Sequence, residues 1–109
     1  MHFISEKQVL EIAKRFEANA DFLFVRVIDY EPDCKVYILG DKNKNKYALI
    51  ARDYMLEDIE AEKRIMSMEL GIEVLDRFLT KDTKDYWMED KTLGAFRYVF
   101  NLCRIKFHE

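Results

Sequence analysis

Five carboxylates and no basic residue fall within residues 53–62: Asp53, Glu57, Asp58, Glu60 and Glu62. Acids at this density can meet a basic partner by charge complementarity, which acts mainly on specificity and association rate. They can also hold a divalent cation through oxygen ligands. Helical spacing argues against that use, because it fans the carboxylates around the helix axis instead of converging them on one ion. The plain structural reading is a solvated helix start, where negative charge suits the helix dipole and Glu60 pairs with Arg64 one turn on.

The second distinctive group is Tyr86-Trp87-Met88, in a stretch from Thr80 to Lys91 that is otherwise polar and mixed in charge. Trp and Tyr are enriched at interface hot spots, where a large rigid side chain fills a partner's pocket. The alternative is a short edge strand or loop that folds its aromatics into the core. Asp53, Glu57, Asp58, Glu60, Glu62, Tyr86 and Trp87 therefore form the candidate partner-binding set.

Catalytic groups are scarce. A nucleophile needs an adjacent base, and the histidines are His2 and His108, near the two ends of the chain, where supports are usually mobile. As a metal-binding pair they compete with a reading as solvated tails. Ser5 reads as a helix cap and Ser67 as a mid-helix residue. Gly40, Gly71 and Gly94 fit neither GxGxxG nor GxxxxGK[ST], so no phosphate cradle is expected. Cys34 and Cys103 fall on predicted strands and read as buried, inert thiols. They could oxidise only if those strands lie side by side. No catalytic residue, metal ligand or cofactor is assigned.

Composition bounds the rest. The chain has 109 residues, half of them apolar, 36% charged and 14% aromatic, with net charge -3 and pI about 5.5. That is the composition and size of one globular domain. Duplex nucleic acid binding needs a surplus of Lys and Arg, which this chain lacks, so no nucleic acid partner is expected. No apolar run approaches the ~20 residues of a membrane span, and Met1 to Ser5 lacks the regions of a signal peptide. The expectation is a cytoplasmic protein with free thiols.

These groups need elements to position them. Ser5 and Gln8 make a capping box, and Ile4 and Val9 a hydrophobic staple. Val9, Ile12, Ala13, Phe16 and Ala20 form the apolar stripe of a first helix ending near Asn19 to Asp21. Residues 22–28 are apolar on both faces except at Arg26, the pattern of a central strand covered on both sides. Glu31-Pro32-Asp33 is a turn. Cys34 to Leu39 and Lys46 to Arg52 are an antiparallel pair joined by a polar hairpin loop, whose Lys42, Lys44 and Lys46 read as solvated. Ala61, Ile65, Met68, Ile72, Leu75 and Leu79 then repeat at heptad spacing and predict a long helix over 56–80 with a weak point at Gly71. That seam is either the core face of the helix or the seam of a homodimer. Residues 95–107 read as a strand in preference to a helix, with Tyr86 to Glu89 as its hairpin partner.

The expected fold is α+β: an antiparallel sheet of about four strands in the order α-β-β-β-α-β, with both helices packed on it. Many unrelated small domains share that plan, so fold alone gives no function. By elimination, the expected function is a non-enzymatic protein-binding module, an intracellular inhibitor or immunity-type protein masking a basic partner site. The alternatives are a self-associating structural domain and a small-ligand binder or small enzyme.

Overall fold

In a computed structural model, residues 1–55, 58–93 and 97–108 are described. Two helices and six strands alternate along them: α1 (Glu6–Ala13), β1 (Leu23–Glu31), β2 (Cys34–Gly40), β3 (Lys46–Arg52), α2 (Ile59–Leu70), β4 (Ile72–Arg77), β5 (Met88–Asp90) and β6 (Tyr98–Phe107). The strands form one sheet in the order β1-β2-β3-β6-β4, and every pairing is antiparallel. β6 is long enough to take two partners along one edge: β4 beside residues 103–107 and β5 beside residues 98–100. The last segment is a strand as expected, over Tyr98–Phe107, with Met88–Asp90 as its partner in place of Tyr86 to Glu89; residues 95 and 96 of the expected strand lie outside the described residues.

The helices cover opposite faces. Val9, Ile12, Ala13 and Phe16 pack on Tyr37, Leu39, Leu49, Phe100 and Leu102. On the other face Met66 packs on Val36, Ile38, Ala48, Ile50, Cys103 and Ile105. Successive side chains of a strand point to opposite faces. β2 and β3 are therefore buried along nearly their whole length and read as near-continuous apolar runs.

α1 begins as its capping box requires: Ser5 Oγ accepts from Gln8 N at 3.1 Å, and Gln8 Oε1 accepts from Ser5 N at 3.0 Å. It stops at Ala13, earlier than its apolar stripe predicts. The chain beyond it bonds instead to residues 79–81, through Glu17 N to Leu79 O and Lys81 N to Arg15 O, each 2.8 Å. Phe16 stays in the core, 1% exposed, without being helical.

Three expectations are corrected. The sheet has six strands where about four were expected, because residues 72–77 and 88–90 each add a strand along β6. The predicted 56–80 helix is a short helix followed by a strand. Gly71 adopts φ +66 as the left-handed cap of α2, and Ile72–Arg77 turns back as β4 along β6. A left-handed C-cap is the usual way to end a helix, and glycine adopts it without steric penalty. The inward stripe of α2 is also not the heptad seam: Met66 is its buried residue, whereas Ile65 and Met68 are exposed. The third correction concerns β1, which is an edge strand. Phe24 packs under the α1 side and Ile28 and Tyr30 against the α2 side, while Leu23, Val25 and Val27 stay exposed.

Candidate partner-binding surface

Of the candidate set, Tyr86 and Trp87 line one groove, and none of its described acids lines it with them. The stretch after β4 leads through a turn at 80–85 to Tyr86 and Trp87, just before β5. In that turn Thr80 N donates to Asp85 O at 2.8 Å and Thr80 Oγ1 accepts from Asp85 N at 3.3 Å. Along β5 the side chains alternate, so Met88 turns into the core. Tyr86 and Trp87 stand 44% and 38% exposed. Their groove has a volume of about 290 Å³. Met55, before α2, and Ile59, its first residue, line the groove with them, and Arg77, Leu79, Lys84, Asp85 and Asn101 complete the lining. The Arg77 guanidinium lies 4.3 Å from the centroid of the Tyr86 ring, a cation–π contact that fixes the ring's orientation.

The five acids divide. Asp58 is the N-cap of α2, its carboxylate accepting from Ala61 N at 3.0 Å. Asp53 is exposed at the end of β3, and Glu60 is exposed beside Lys63 at 3.2 Å, one residue short of the expected Arg64. Asp53, Asp58 and Glu60 are exposed, but none of them lines the groove, and Asp58 lines a separate recess with Tyr30, Glu31 and Tyr54. Glu57 lies outside the described residues. Glu62 is corrected: it points inward and pairs with Arg52, with only 16% of its side chain exposed. Its inward position follows from Arg52, the last residue of β3, whose guanidinium is 1% exposed and must be neutralised where it lies. Burial lowers the proton affinity of Arg52, and the neighbouring Cys34 and Tyr54 oppose that shift.

One polar chain ties the surface to this buried pair. Arg52 Nη1 donates to Asn101 Oδ1 at 3.0 Å, and Asn101 Nδ2 donates to Tyr86 O at 3.0 Å. Glu62 of α2, Arg52 of β3, Asn101 of β6 and the backbone of Tyr86 thus form a continuous link beneath the groove. It sets α2's start against the aromatic pair. Arg52, Arg77 and Asn101 escape sequence reasoning. A charge ending the apolar run Tyr47 to Ala51 was the available signal, but its partner lies on another element.

The remaining polar chemistry is accounted for in place. Ser67 Oγ and His108 Nε2 are 3.0 Å apart, a contact the sequence does not suggest. His108 N also donates to Gly71 O at 2.8 Å, so the pair fastens the end of β6 to the last turn of α2. Among the described residues no acid bonds to that imidazole in the way a catalytic triad requires, and the pair lies outside the groove beside Trp87. Among the same residues no three His, Cys, Asp or Glu side chains converge as metal ligands, and no helix is long and apolar enough to cross a membrane.

Cys34 and Cys103 are both buried and free. Burial pushes the Cys34 thiol up to about 11 against the lowering effect of Arg52, and burial pushes Cys103 up to about 12. Cys34 pairs in register with Arg52 and Cys103 with Ala48, on opposite sides of β3 and four residues apart along it. Four strand residues span about 13 Å, well beyond disulfide reach. Both thiols are expected to react slowly with a disulfide reagent in the native protein, and to titrate as two after denaturation. A count near zero at unchanged mass would contradict this arrangement.

Compared with known proteins, the chain matches no family model, and no curated protein or solved structure matches it closely enough to count.

Proposed function

We propose that this protein is a non-enzymatic binding module, an inhibitor or immunity-type protein that masks a basic site on a protein partner. The observation that carries the reading is the groove lined by Met55, Ile59, Tyr86 and Trp87. A large, half-exposed aromatic beside a recess is the composition of an interface anchor. The exposed Asp53, Asp58 and Glu60, at the end of β3 and the start of α2, would supply charge for steering a basic partner. Within the groove Arg77 and Lys84 face Asp85, and Lys84 is also paired with Glu17. The polar link under the groove holds Tyr86 and α2 in register, and such preorganisation lowers the ordering cost of binding.

The test begins with capture of a partner from the native host on the immobilised protein, identified by mass spectrometry. Association is then measured for wild type and for Asp53→Asn with Glu60→Gln, both exposed and away from the buried pair. The double variant should associate more slowly, with a weaker salt dependence and little change in dissociation rate. An unchanged association rate would show that these acids take no part in docking.

A further inference from the structure

We propose that β1 is a self-association edge, at which two copies of this chain pair β1 to β1 antiparallel and join their sheets into one. Among the described residues β1 pairs only with β2, so its outer backbone edge is open. Natural edges are usually blunted by short length, charge or bulges. β1 is nine residues long; it carries two of the usual guards, the charges Arg26, Asp29 and Glu31 and two bulges near Val25 and Tyr30, which leave Arg26 to Asp29 in regular register between them. Leu23, Val25 and Val27 are 60%, 46% and 36% exposed. The residue pattern is that of a strand covered on both sides, yet in the single chain the strand sits at the rim. Such a conflict between local pattern and position is expected where a surface has a use. A second β1 resolves it by turning each edge strand into an interior one.

Charge selects the second copy and its direction. Arg26 stands in the first half of the strand, and Asp29 and Glu31 in the second. The side chain of Asp29 remains 61% exposed although it pairs with Lys35. An antiparallel pair sets the Arg26 end of each strand beside the acidic end of its partner. A parallel pair would set like charge beside like. Antiparallel pairing is also what a two-fold axis perpendicular to the sheet produces, so the interface is isologous and closes at a dimer. The axis keeps α1 of both copies on one face and α2 of both on the other, leaving the grooves beside Trp87 at the far ends of the joined sheet.

The test is the mass in solution, by light scattering and sedimentation equilibrium up to high micromolar concentration. Wild type should reach twice the 13.1 kDa of the chain. Val27→Lys should return the mass to that of one chain. Arg26→Glu should weaken the dimer at least about tenfold by placing like charges together. Met68→Lys, on the outer face of α2, should leave it intact. Circular dichroism verifies the fold of each variant, and Arg26→Glu decides if Val27→Lys fails to fold. A wild type that stays at the mass of one chain overturns the proposal. So does a dimer that survives folded Val27→Lys and Arg26→Glu, or one that dissociates with Met68→Lys.

Discussion

Glu62→Ala is expected to destabilise the protein by about 3–5 kcal/mol, the usual cost of leaving a buried charge without its partner. Arg52 is 1% exposed and takes its countercharge from Glu62. Removing the carboxylate leaves the guanidinium in a low-dielectric site beside the neutral groups of Asn101 and Tyr54. The neighbouring acid gives the contrast. Glu60 is 74% exposed at its side chain, and Glu60→Ala should leave the unfolding curve nearly unchanged. Arg52→Met combined with Glu62→Leu should be less destabilised than Glu62→Ala alone, because it removes the stranded charge along with its partner. Urea unfolding followed by circular dichroism measures all three. A loss below about 1 kcal/mol for Glu62→Ala would mean that Arg52 reaches solvent or another acid, and that Glu62 belongs with the exposed set after all.

That contrast shows where sequence reasoning stops. Asp53 to Glu62 reads as one acidic cluster because charge and spacing are local properties. Which acid turns inward depends on Arg52, which lies on a strand and meets α2 only in the folded chain. The same acid disguises the buried stripe of α2. Ile59, Glu62 and Met66 face the sheet, but a charged residue in that stripe breaks the hydrophobic pattern, so the eye follows Ala61, Ile65 and Met68 instead. Ile72, Leu75 and Leu79 happen to continue the period of four and three beyond Gly71. Pairing with β6 then makes 72–77 a strand, a tertiary effect that outweighs local pattern.

Elements with local signals were legible. The Ser5–Gln8 capping box starts α1 where expected, and Lys46–Arg52 has the predicted bounds as β3. The polar loop before it is closed by Asp41, whose carboxylate accepts from Asn43 N, Asn45 N and the Tyr47 hydroxyl. At the candidate surface, the exposure of Trp87 could be inferred from the polar stretch around it. Its place beside Met55 and Ile59 could not, because Asn101, which holds the Tyr86 backbone there, lies on β6. β1 shows the reverse case: its residues were read correctly as apolar on two faces, but strand order decides whether such a strand is central or at the rim.

In the proposed docking groove, Trp87 is the anchor. Trp87→Ala removes a side chain that is 38% exposed and outside the buried core, so the fold should survive, with a modest loss of stability. The deciding measurement is the affinity of the captured partner for this variant, by calorimetry or surface plasmon resonance, alongside circular dichroism of the variant alone. A folded Trp87→Ala protein should bind at least ~2 kcal/mol more weakly than wild type, chiefly through faster dissociation. A folded variant that binds its partner unchanged would contradict the account and place the docking surface elsewhere on the molecule. A variant that fails to fold would contradict it too, by showing Trp87 to be a core residue and no anchor.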